Sequence, residues 1–140
     1  MPKKVLITQP IDESGMDVLR AAKISVDVWP GPEPIDRSTL LERVSDCEGM
    51  ISMLTDPLDA EVMDAGPLRV IAQHAVGINN IDLDAARQRG IQVGHTPGVL
   101  TDATADLTMA LLLGVARRTV EGDALVRSGQ WKGWSPTLLR

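Results

Sequence analysis

Five short β-type runs alternate with helical patterns between Val5 and Val93, and this alternation limits the possible folds more than any other property of the chain. Strands separated by helices do not close into hairpins. They pair in parallel, each helix crossing back over the sheet. Val5-Leu6-Ile7 reads as a short buried strand. Asp12 or Glu13 starts a helix carrying Met16, Leu19 and Ala22, and Ile24 to Val28 alternates as a second strand, followed by Trp29. Pro30-Gly31-Pro32-Glu33-Pro34 fits neither a helix nor an interior strand, so it is a loop. Asp36 caps a helix with Leu40, Leu41 and Val44 on one face. Gly49 to Leu54 is the third strand, Asp59 begins a short helix through Val62 and Met63, and Leu68 to Ala72 is the fourth strand. Asp82 caps a helix whose apolar face is Leu83 and Ala86 with Ala85 beside them; Gly90 closes it, and Ile91 to Val93 is the fifth strand.

Five such βα units predict an α/β fold: a flavodoxin-like, doubly wound, parallel five-stranded sheet of order 2-1-3-4-5, with ligands bound at the carboxyl ends of the strands. After the Thr96-Pro97-Gly98 elbow the pattern changes. Thr101 is a good N-cap residue, and one long helix is expected over 101–127, interrupted by no Pro. Between Ala105 and Ala116 apolar residues occupy nearly every face of that helix. A helix apolar all round has to be covered from several sides, by another domain or by a second subunit. Ser128 to Pro136 reads as an extended arm anchored by Trp131 and Trp134. Residues 1–97 are expected as one domain and 98–140 as a separate helix and arm.

Composition excludes several classes of function. The formal charge of −5 and the lack of a basic cluster beyond Lys3-Lys4 and Arg117-Arg118 argue against nucleic acid. The longest apolar run, Met109 to Leu113, is far shorter than the ~20 residues of a membrane span. The lone Cys47 excludes an intrachain disulfide, suits the cytoplasm and reads as a small apolar residue. With three Trp and no Phe or Tyr, the core must be built from Leu, Val, Ile, Met and Ala. A receiver domain needs an acidic pair after the first strand, where this chain has Gln9-Pro10, so Asp56 alone does not suffice. A flavodoxin's phosphate loop needs glycines that Thr8 to Glu13 lacks.

The loop Ala75-Val76-Gly77-Ile78-Asn79-Asn80 is the leading ligand-site candidate. A Gly directly after a strand lets backbone N–H groups face a crevice with no Cβ in the way, and such groups are good donors to a carboxylate. His74 and His95, the two histidines, lie in no metal-ligand spacing, and no metal site is expected. No Gly-x-Gly-x-x-Gly occurs, so the pyrophosphate turn of a dinucleotide fold is missing from these residues.

The whole series from Val70 to Arg118 (strand, Gly loop, helix, strand, Thr-Pro-Gly elbow, apolar helix) resembles the D-isomer-specific 2-hydroxyacid dehydrogenases, in their glyoxylate/hydroxypyruvate reductase branch. The resemblance implies a substrate-binding portion of an NAD- or NADP-dependent enzyme that reduces a small 2-oxo acid to its 2-hydroxy acid. It implies that Val76 and Gly77 donate backbone N–H bonds to the substrate carboxylate. The family pattern after this Gly is x-Asp-Asn-Ile-Asp, and here Asn79 replaces the acidic residue. Phosphite dehydrogenases place Lys where Val76 stands, so Val76 points to a monocarboxylate. Leu54, at the end of the third strand, would bound the substrate's R group. Thr104 would lie near the nicotinamide, and Trp134 would wall the active site of a neighbouring subunit in a homodimer formed through the 101–127 helix and the Trp131/Trp134 arm. The family's catalytic Arg, Glu and His map beyond Arg140, where its nucleotide-binding βαβ unit also begins. No catalytic residue is therefore assigned, His74 is set aside as proton donor, and the 140 residues are expected to be inactive alone. The substrate domain is expected to lack a completing helix that the family supplies from its C-terminus. The competing account is a non-enzymatic flavodoxin-like module that pairs through the long helix.

Overall fold

The computed structural model describes residues 3–136; the expected segments' outermost residues, 1–2 and 137–140, lie outside the described residues. Five parallel strands form one sheet of order β2-β1-β3-β4-β5: β1 (Lys4–Ile7), β2 (Ser25–Val28), β3 (Gly49–Ser52), β4 (Val70–Gln73) and β5 (Gln92–Gly94). The helices between them are α1 (Glu13–Ala21), α2 (Arg37–Val44), α3 (Ala60–Asp64) and α4 (Leu83–Gln88). The α/β architecture and strand order match the expectation. Contacts divide the chain into two compact units, Met1–Gly98 and Val99–Arg140.

Each of these four helices begins at an Asp whose carboxylate accepts a backbone N–H: Asp12 from Ser14, Asp36 from Thr39, Asp59 from Val62 and Asp82 from Ala85. The cap satisfies a donor that the first helical turn leaves without a partner. Gly90 follows α4 with φ +67°, the left-handed conformation that a side chain disfavours.

One face of the sheet is well covered. Leu6, Met50 and Ile71 pack with Leu40 and Val44 of α2, Val62 and Met63 of α3, and Ala85 and Ala86 of α4. Burying each such large aliphatic side chain contributes about 1.5–3 kcal/mol. Side chains alternate along a strand, so Val5, Gly49, Val70 and Gln92 form one row of the opposite face, and Ile7, Ile51, Ala72 and Gly94 the next. Val70 and Ala72 are exposed there, and α1, the helix beside Ile51 and Ala72, buries none of its own residues.

Several boundaries differ from the sequence reading. β3 stops at Ser52 rather than Leu54, because the Met53 N–H turns to Asp56 Oδ2 at 2.7 Å. Leu68 drops into the core before β4 begins at Val70, and Ile91 does so before β5. Leu83 does not join the apolar face of α4; Ala85 and Ala86 are the residues buried there.

The second unit departs further. The expected helix over 101–127 is two helices, α5 (Thr101–Ala116) and α6 (Thr119–Arg127), separated by Arg118 at φ 51°. Thr119 Oγ1 donates to the Gly114 carbonyl at 3.3 Å, and a Cβ on Gly114 would stand 3.3 Å from that hydroxyl. The missing Cβ lets the chain fold back closely. Thr101 is not the N-cap: Leu100 holds that position with φ −108° and ψ −3°, and no side-chain cap bond forms. Capping side chains work from extended backbone, whereas this helix is entered from a turn.

A buried polar network joins the loops that follow β3 and β4. Asp56 is 1% exposed; its carboxylate accepts from Thr8 Oγ1 and the Met53 N–H. Asn80 Nδ2 donates to the carbonyls of Met53 (3.1 Å) and Asp56 (2.8 Å), and Asn80 Oδ1 accepts from Gln73 Nε2 (2.9 Å). Ser52 Oγ completes the chain by donating to Gln73 Oε1 at 2.6 Å. Backbone bonds reinforce it: the Leu58 N–H donates to the Asn80 carbonyl at 2.8 Å, and the Asp82 N–H to Leu58 at 2.9 Å.

Asp56→Ala would remove the acceptor of the Met53 N–H and leave the Thr8 hydroxyl with only its longer bond to the Ile51 carbonyl at 3.3 Å. The expected cost is about 3 kcal/mol in urea unfolding, with Asp56→Asn losing less because one acceptor survives. Asp36 tests the caps by pH. Hydroxyl bonds from Ser38 and Thr39, then the Thr39 N–H, hold its carboxyl well below the ordinary value of 3.8. A depressed carboxyl adds stability above its unfolded value and loses it as the pH falls below. Unfolding midpoints should therefore drop below about pH 4, and Asp36→Asn should make that decline shallower.

Candidate functional site

The carboxyl end of β4 leaves the ladder after one last rung, the His74 N–H donating to the Ser52 carbonyl at 2.8 Å. Two successive carbonyls are then held by the residues just past β5. Ala75 O accepts from the Thr96 N–H at 3.0 Å, and Val76 O lies 2.8 Å from His95 Nδ1. In a trans peptide the C=O of one residue and the N–H of the next point in opposite directions. The Val76 and Gly77 amides therefore face away from His95 and Thr96. Among the described residues neither N–H donates to a protein acceptor. Two adjacent amides without internal acceptors are the kind of backbone feature that can receive an anion.

Leu54 stands beside this pair. Its Cδ2 would lie 3.4 Å from a Cβ on Gly77, and its side chain is 57% exposed. Gly77 needs no left-handed backbone, and an added Cβ would meet only ordinary contact distances. Only a side chain reaching beyond Cβ would press on Leu54. Val76 itself is exposed and carries no charge. The structure thus brings together Leu54, Val76 and Gly77 of the predicted residues.

A cleft of about 330 Å³ opens at the carboxyl ends of β3 and β4 beside α1, lined by Ile11, Ser14, Ile51, Ala72, His74 and Thr96. His74 follows β4 and borders this cleft. Cys47 is fully buried, and burial pushes its thiol up to about 11, which suits packing rather than reactivity.

Thr104 and Trp134 belong to the second unit. Thr104 is exposed in the first turn of α5, and its carbonyl accepts from Thr108 Oγ1 at 2.7 Å. Trp131 and Trp134 are 52% and 84% exposed. Among the described residues no group of His, Cys, Asp and Glu could hold a metal ion, and no helix is long and apolar enough to cross a membrane.

Sequence reasoning missed Asp56, Asn80 and His95 as parts of the site's framework. The signal available for Asn80 was an amide next to the apolar Ile81 in a loop already singled out; Asp56 and His95 gave no local signal.

Residues 5–133 match the family described as D-isomer specific 2-hydroxyacid dehydrogenase, catalytic domain. A glyoxylate reductase from Thermococcus litoralis is 48% identical over 144 residues, covering 99% of this chain and 43% of the relative. The TT0316 protein from Thermus thermophilus superposes with a TM-score of 0.93 at 51% identity, over 98% of this chain and 44% of that one. The NAD+-bound 3-phosphoglycerate dehydrogenase of Entamoeba histolytica gives a TM-score of 0.69 at 25% identity, over 81% of this chain and 39% of that one. The chain spans less than half the length of the curated relatives it matches. With a five-stranded parallel sheet, a Gly loop offering bare amides and a family match across nearly its whole length, this chain belongs to the D-isomer specific 2-hydroxyacid dehydrogenases.

Proposed function

We propose that these residues form the substrate-carboxylate-binding portion of an NAD(P)-dependent dehydrogenase that reduces a small 2-oxo acid such as glyoxylate or hydroxypyruvate. The observation that carries this reading is the pair of undonated amides at Val76 and Gly77 beside the exposed Leu54. A carboxylate seated there accepts both N–H bonds, which are strengthened by its charge. Leu54 then bounds the R group, and the uncharged Val76 suits a monoanion. The relatives named glyoxylate reductase support the substrate class.

These 140 residues do not fit a dinucleotide by themselves. Gly31, Gly49, Gly66, Gly77, Gly90, Gly94 and Gly98 are too scattered for a pyrophosphate turn. Hydride transfer is accordingly assigned to no residue here, and Thr104 is proposed only to lie near the nicotinamide end of a cofactor held elsewhere. Residues 1–97 are proposed as the substrate domain and 98–140 as the first helical segment and arm of a nucleotide-binding domain. The half-bare sheet face around Val70 and Ala72 is proposed to receive a completing helix from the intact enzyme. A cytoplasmic location is proposed from the single, buried Cys47.

The second unit supports a homodimer. Leu107, Met109, Leu111, Leu112, Leu113 and Val115 are all exposed on α5, and none of its residues is buried. Apolar surface on this scale marks an interaction site. The Trp131/Trp134 arm would add anchors to the same interface, with Trp134 reaching a neighbour's site. The bare α5 equally favours the second reading, a non-enzymatic module that pairs through this helix.

Titration calorimetry with glyoxylate or oxalate should show millimolar or tighter binding, weakened about tenfold or more in Gly77→Val, whose methyls would crowd the amides against Leu54. No binding by the wild-type chain would remove the carboxylate reading and leave the pairing module. Light scattering should give a dimer mass, and Leu111→Glu with Leu112→Glu should weaken that dimer by about tenfold or more; a wild-type monomer would contradict the dimer.

A further inference from the structure

We infer that His95 is a positioning residue for the anion-binding amides: its Nδ1–H, acting with the Thr96 backbone N–H, holds the carbonyls of Val76 and Ala75 and so turns the Gly77 and Val76 N–H groups outward as a pair. This inference rests on the reading that those amides receive a substrate carboxylate.

A carbonyl oxygen only accepts, so the His95 nitrogen 2.8 Å from Val76 O carries the proton. Nδ1–H is present in the imidazolium and in one neutral tautomer, and the carbonyl selects that tautomer. The grip therefore does not depend on the ring's charge. The peptide it holds is the one whose other end is the Gly77 N–H. Donation into the carbonyl also polarises that peptide and strengthens its N–H as a donor.

Extended backbone turns successive carbonyls to opposite sides. Here Ala75 and Val76 direct theirs to adjacent residues of one segment, Thr96 and His95, so the chain must bend between 74 and 76, where bends occur. The Thr96 N–H alone fixes only the first of the two peptides. His95 is exposed, so its ring is not placed there by core packing. An exposed side chain that closes a single bond onto the peptide preceding the bare amide serves to orient it.

Asparagine is the conservative test, because its Nδ2 sits the same number of bonds from Cα as Nδ1 and also donates. Aspartate is the opposite, an acceptor facing an acceptor. In the 140-residue chain, the Gly77 and Val76 amide signals in 15N–1H spectra should move in His95→Ala and His95→Asp and return in His95→Asn, with an unchanged unfolding midpoint. The dissociation constant for oxalate should rise roughly three- to tenfold in His95→Ala, further in His95→Asp, and recover in His95→Asn. Amide signals that stay in place in His95→Ala would overturn the inference, as would an unchanged oxalate affinity in that variant. If wild-type chain binds no oxalate, the carboxylate reading and the anion role of His95 both fall, while the amide signals still show whether His95 orients the loop.

Discussion

Asn80 ties together the two loops on which the site depends, and it does so with side chain and backbone at once. Its amide donates to two carbonyls of the β3–α3 loop and accepts from Gln73, while its own carbonyl receives the Leu58 N–H. Leu54 sits beside Gly77 because of this tie: the residues flanking Leu54 are held to the loop that carries the glycine. Aspartate in place of Asn80 has no donors for the Met53 and Asp56 carbonyls, and would add a charge next to the buried Asp56. The requirement is for an amide, with both donor and acceptor, in a place water does not reach easily.

Given that frame, backbone amides have a physical advantage as carboxylate donors. A Lys or Arg side chain loses on the order of 2 kcal/mol of rotamer freedom when it is fixed on a ligand. The Val76 and Gly77 amides have already been ordered by folding, and their directions are set by the bonds at Ala75 O and Val76 O. They carry no full charge, so their attraction for an anion is weaker and more directional than that of an ammonium group. That balance suits a small monoanion whose orientation matters more than its tightness of binding.

What the sequence made legible follows from how local each signal is. Asp12, Asp36, Asp59 and Asp82 sit just before helices and accept bonds from residues two or three positions on, so the short-range pattern suffices. The strand order followed from the alternation of elements. Strand ends did not, because Met53 leaves the ladder only when Asp56 and Thr8 meet, and Thr8 is 48 residues away from Asp56 in sequence. The break at Arg118 was equally hidden: Arg117-Arg118 contains no breaker, and the bond that spans it runs from the Thr119 hydroxyl back to Gly114, five residues earlier. The bond of His95 to a residue nineteen positions earlier likewise has no trace in local pattern.

The same non-local packing decides how robust the site is. Leu58 and Ile81 flank the two loops, pair as an isolated bridge and are 1% and 6% exposed within the core on the covered face of the sheet. The loops are thus anchored on the side packed by α2, α3 and α4. The thinly covered face carries Gly49, Ala72 and Gly94, small residues that bury little and offer few contacts. A change in what covers that face would alter the exposure of Val70 and Ala72 but break none of the hydrogen bonds that Asp56, Asn80 and His95 make. The geometry of the bare amides therefore follows from the first unit's own core and its polar ties, whatever comes to cover the opposite face.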